Sequence, residues 1–134
     1  SLNAAFKARH AEVIEVELTT LDTFWRGLGA PPVGVVKVDV EGFEHEVLAG
    51  AAGLLQRARP LVFFEVLPGS ELDALEALRR QAGYVDARLG RAEVAIGGSI
   101  AFDPDGWNHA LVPAERTEAL ARMATRAGLA HRWV

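Results

Sequence analysis

The chain contains no cysteine, one tyrosine and one methionine in 134 residues. The absent thiols exclude a cysteine nucleophile, a disulfide framework and cysteine-ligated zinc. There is no block of lysine and arginine, and the formal net charge is −4, which argues against nonspecific binding to nucleic acid or an anionic membrane. No run reaches the roughly 20 apolar residues of a membrane span, because Arg, Glu or Asp interrupts each one. Ser1-Leu2-Asn3 has neither the basic region nor the apolar segment of a signal peptide, so a soluble, cytoplasmic chain is expected. The lone methionine is Met123, so Ser1 is not expected to be a natural beginning. No G-x-S-x-G, G-x-x-x-x-G-K-[ST] or G-x-G-x-x-G occurs, which leaves a serine-hydrolase elbow and a phosphate loop unsupported. The chain is 50% hydrophobic and 24% charged, a balance that fits one ordinary globular domain over residues 1–134, either an enzyme or a binding module.

The pattern along the chain alternates strands with helices. Val13 to Leu18 has the β-branched alternation of a short strand, and Thr20-Leu21-Asp22-Thr23 offers caps for a brief helix to about Leu28. Val35 to Val40 is β-branched and nearly apolar on both faces, which predicts the interior of a parallel sheet. Phe43, Val47, Leu48, Ala51, Leu54 and Leu55 then fall at helical spacing, predicting one helix to about Arg57. Arg59-Pro60 breaks it, and Leu61 to Leu67 reads as a second buried strand. Ser70 with Asp73 resembles a capping box before a helix that ends at Gly83. Tyr84 to Leu89 and Trp107 to Val112 alternate as strands, with a glycine-rich loop or small hairpin between them. Pro113 and the stripe Leu120, Met123, Ala124, Ala127 predict a last helix stopped by Gly128. The expected class is α/β, with a largely parallel, three-layer sheet.

In such sheets ligands bind beyond the carboxyl ends of the strands. Lys37 to Glu46 gathers Asp39, Glu41, Glu44 and Glu46 at one such end, and Glu65 stands at the end of the next strand. Carboxylates brought together repel unless a cationic ligand, a metal or water neutralises them, so Asp39 and Glu65 are expected to share a crevice. Glu41, Glu44 and Glu46 equally suit a helix start, where they stabilise the macrodipole by about 0.3 to 1 kcal/mol each. Glu65 among Phe63, Phe64 and Val66 is costly unless paired, with Lys37 a candidate partner. His45-Glu46-Val47-Leu48-Ala49 begins like a zinc-protease helix but has Ala where the second ligand belongs. Asp39-Val40-Glu41-Gly42 does not keep the frame of a calcium loop. His10, His109 and His131 stand singly and read as packed or surface residues.

In order and spacing, Thr20-Leu21-Asp22, Val36 to Glu44 (K-x-D-x-E-G-x-E), Val47 to Ala51 (V-L-x-G-A), Arg59-Pro60, Glu65, Gly83-Tyr84 and Asn108 to Pro113 resemble the FkbM-type methyltransferases. The resemblance implies the Rossmann-like class I fold of S-adenosylmethionine-dependent methyltransferases, a seven-stranded, mostly parallel sheet with one antiparallel strand, here lacking its first strands. It implies methyl transfer to the hydroxyl of a small molecule or glycan. Asp39 would end the fourth strand as base or cofactor contact, Glu65 would end the fifth, and Glu41 would line the same mouth. Asp39, Gly42 and Glu44 would contact S-adenosylmethionine, and no dedicated metal site is implied, although a divalent ion on Asp39, Glu41 or Glu65 would also lower a hydroxyl's pKa.

The glycine-rich turn after the family's first strand and the acid ending its second have no counterpart in these residues. The chain is therefore expected to be the C-terminal half of a methyltransferase domain, to bind the methyl donor weakly alone, and to form a homodimer through an exposed sheet edge. A noncatalytic module pairing through that edge is the alternative, and a metal-dependent hydrolase using Asp39, Glu41 and Glu65 is a third reading.

Overall fold

The computed structural model describes residues 14–134. Thr20 caps α1 (Leu21–Gly27), its hydroxyl accepting the Thr23 N–H at 3.1 Å. The strand predicted over Val13 to Leu18 is not formed. Val13 lies outside the described residues, and residues 14–20 are exposed with no regular structure. Alternation makes a strand only where a partner supplies the ladder, and none lies beside this segment among the described residues.

The run from Val35 forms β1 (Val35–Lys37), shorter than predicted and at the sheet edge, with Val35 58% exposed. The single helix predicted from Phe43 is two, α2 (Glu44–Ala49) and α3 (Ala52–Ala58). The break falls where Thr20 packs on Gly50: a Cβ there would lie 3.2 Å from the Thr20 Cβ. Asp22 caps the restart by accepting the Gly53 and Leu54 N–H groups, each at 2.8 Å. Burial opposes the charge on Asp22, but these two donors and Arg26 outweigh it and hold the carboxyl below its ordinary value.

Beyond β2 (Leu61–Glu65) comes α4 (Leu72–Ala82), closed by Gly83 in the left-handed conformation at φ 70°, as its position predicts. Ser70 does not cap this helix. Its hydroxyl accepts the Leu67 N–H at 2.9 Å and closes the preceding turn. The chain continues through β3 (Tyr84–Leu89), β4 (Glu93–Ile96), β5 (Asn108–Pro113), a short 3-10 turn, α5 (Thr117–Arg126) and β6 (Ala130–Trp133).

The sheet order is β1-β2-β5-β3-β4-β6. β1 with β2 and β4 with β6 are parallel, whereas β2 with β5, β3 with β5 and β3 with β4 are antiparallel. The α/β class holds, but the largely parallel sheet expected from the helix spacing is corrected to a mixed, mostly antiparallel one. Two features cause this: the tight β3–β4 hairpin, closed by Gly90 N–H to Glu93 C=O at 2.8 Å, and β5, inserted in reverse between β2 and β3. Because β2 and β3 both oppose β5, they run in the same direction.

Two apolar clusters flank the sheet. Leu48, Leu55, Leu75 and Tyr84 pack with Val62, Phe64 and Leu111 beneath the first four helices. Ala87, Ile96, Ala110 and Val112 pack beneath Leu120, Ala121 and Ala124 of α5. Removing such side chains from water contributes roughly 25 cal/mol per Å².

Candidate active site at the carboxyl ends of two parallel strands

β1 and β2 are in register with Val36 opposite Val62 and Lys37 opposite Phe63, and Val38 N–H continues the ladder to Phe63 C=O at 2.8 Å. The ladder ends there: Asp39 lies two residues beyond β1, Val40 N–H turns to Glu44, and Glu65 closes β2 on the sheet face opposite Phe64. Asp39 is exposed and Glu65 half-buried. Lys37 Nζ lies 3.5 Å from Asp39 Oδ2, with both side chains at least half exposed, so water screens the pair and it contributes little. The Lys37 partnership predicted for Glu65 belongs instead to Asp39, and no basic side chain pairs with Glu65 among the described residues.

The turn after Asp39 has an unusual backbone. Glu41 at φ 58° and Gly42 at φ 99° are both left-handed, a conformation that strains a non-glycine residue and persists only where the surroundings impose it. Glu44 supplies that support. It is 1% exposed, and its Oε1 accepts the Val40 N–H at 3.4 Å and the Gly42 N–H at 3.3 Å. The Glu44 carboxylate therefore faces the loop's own amides, and the Gly42 N–H is already engaged. Glu41 projects from the strained turn into solvent. Asp39, Glu41 and Glu65 thus surround the strand ends, while Glu44 shapes the loop that carries two of them.

Among the described residues no group of three or more His, Asp or Glu side chains is placed to hold a metal ion, so Asp39, Glu41 and Glu65 are not assembled as a ligand set. His10 lies outside the described residues. His109, which reads in sequence as a packed or surface residue, is buried against Asp86 of β3, with Nδ1 3.0 and 3.1 Å from the two carboxylate oxygens. Both residues sit at inward-facing positions of alternating strands, a signal present in the sequence. Their pairing depends on the β3–β5 register, which is not.

The chain belongs to the methyltransferase FkbM domain family, whose model matches residues 1–85. The match includes β1, the strained turn, α2 and Glu65, and ends just before Asp86. No curated protein and no solved structure matches the chain. No helix among the described residues is long and apolar enough to cross a membrane.

Proposed function

We propose that this chain forms the acceptor-side part of an S-adenosylmethionine-dependent methyltransferase acting on a hydroxyl of a small molecule or glycan. One observation carries the reading: Asp39 follows the carboxyl end of β1 and Glu65 ends the neighbouring parallel β2, beside a turn that Glu44 holds in a strained shape.

The donor chemistry of the site fits a cationic cofactor, since Asp39, Glu41 and Glu65 are acceptor-only groups at its mouth. S-adenosylmethionine, when bound, supplies an electrophilic methyl group on a positive sulfur. In this reading Asp39 accepts the acceptor hydroxyl's proton, and its exposure leaves it open to that hydroxyl. Glu65 lines the same end and disfavours an anionic acceptor. Glu44 acts through the loop by fixing where Asp39 and Glu41 stand, a positioning role that general acid–base chemistry requires. The test is transfer of labelled methyl from S-adenosylmethionine to a panel of polyols, phenols and glycans by the complete gene product. Label in a hydroxyl-derived ether supports the reading, and no transfer to any hydroxyl contradicts it.

A second reading has its own observation. β1 is an edge strand with Val35 exposed, and Ile14, Val16 and Leu18, earlier in the chain, are each more than 70% exposed. Unpaired apolar edges invite another strand, so the module reading predicts a concentration-dependent dimer in sedimentation that a Val35→Lys substitution disperses.

A further inference from the structure

A cleft of about 530 Å³ opens at the amino end of β1, away from the acids that follow its carboxyl end. Val33, just before the strand, lines it with Trp25 of α1, Pro31 and Pro32. The volume lies within the roughly 300 to 1,000 Å³ of small-molecule sites. Several contacts fix its wall. Ala30 takes the left-handed conformation at φ 53°, and Pro31 C=O accepts the Trp25 indole N–H at 2.8 Å. Both prolines restrict their own φ, and Leu61 N–H holds the far end of the loop through Gly34 C=O at 2.9 Å. Trp25 is only 5% exposed, so its indole is held in place against the cleft.

Two arginines complete the lining, Arg57 from the last turn of α3 and Arg116 from the 3-10 turn after β5, and no acidic side chain joins them among the described residues. Neither arginine forms an ion pair among the described residues. Glu115, next to Arg116 in the chain, is already taken: Arg59 Nε and Nη2 donate to its two oxygens at 3.0 and 2.7 Å. An unpaired arginine in open water needs no explanation, and Arg57 also complements the carbonyl end of α3. That helix end carries only about half a negative charge against two full positive ones, so the cleft favours an anion. Guanidinium groups bind phosphate and carboxylate through paired hydrogen bonds. The indole and proline rings add an apolar surface that a bare inorganic ion would leave unused.

We infer that this cleft binds a small aromatic anion, its phosphate or carboxylate held by Arg57 and Arg116 and its ring lying against Trp25, Pro31 and Pro32. The inference does not rest on the methyltransferase reading. It is tested by ¹H–¹⁵N NMR of the Trp25 indole N–H in the complete gene product, the resonance being assigned by its loss in Trp25→Phe. The titrants are phenyl phosphate, benzoate, benzyl alcohol and inorganic phosphate. A saturable shift with phenyl phosphate or benzoate is expected, the tighter of the two naming the head group, with benzyl alcohol and inorganic phosphate about tenfold weaker or more. Combining Arg57→Gln with Arg116→Gln should raise the dissociation constant of that anion about tenfold or more. Both side chains are exposed, so the double variant is expected to keep its fold, which circular dichroism checks. No saturable shift with either anion, comparable binding of benzyl alcohol or inorganic phosphate, or an unchanged constant in the folded double variant overturns the inference and leaves two solvated arginines beside a rigid loop.

Discussion

At the ends of β1 and β2 the acids Asp39 and Glu41 stand in solvent, with only a loose lysine partner for the former. On the opposite face of the same sheet, the side chains of Asp86 and His109 are buried. The two regions use similar side chains for different ends. Exposed acids meet only water and a screened partner, so they remain available to an incoming group. The buried dyad keeps its geometry because nothing else is near enough to compete. A carboxylate's chemistry is thus set by its position relative to the strand ends more than by its neighbours in sequence: Glu44, three residues from Glu41, is buried and serves the backbone.

Substitutions break this contrast most strongly from the buried side. Phe64→Ala removes the side chain that covers His109 and fills the core under α2 and α4, and chemical denaturation is expected to show a loss of about 3 to 5 kcal/mol. A milder perturbation is acidification. Arg79 chiefly, aided by the Ile100 N–H and Arg80 against the opposing effect of burial, holds the Glu76 carboxyl at about 2 instead of 4.5. A carboxyl depressed in the folded state contributes stability that is complete above its unfolded value and fades as pH falls toward its folded one. Stability should therefore decline between about pH 5 and pH 2, and Glu76→Gln should flatten that part of the curve. An unchanged slope in the variant would show that Glu76 is not the acid whose depression sets it. At the exposed end, Lys37→Ala should cost less than about 1 kcal/mol in the same denaturation assay; a larger loss would mean that the Asp39 pair is structural and the acid is not free.

The two regions were also unequally legible in the sequence. Thr20 as a cap and Gly83 as a helix stop involve only local backbone geometry, and both are seen. Asp39 and Glu65 could be placed at neighbouring strand ends because hydrophobic runs mark where strands terminate. β6 was missed, since Ala130 to Trp133 is exposed throughout and has no buried face to create a pattern. The break at Gly50 was missed because its cause, Thr20 and Asp22 packing from another segment, is tertiary. The mixed sheet escaped for a related reason: periodicity identifies strands but carries no direction, and direction alone separates the β5 insertion from a parallel crossover.

The central claim is that the solvent-facing acid at the end of β1 accepts a proton during methyl transfer, and the rate of transfer by Asp39→Asn in the complete gene product tests it most directly. General-base assistance is worth roughly 100-fold or more, so the account predicts a rate reduced at least that far with an unchanged unfolding midpoint. A rate within twofold of the unsubstituted protein would contradict it.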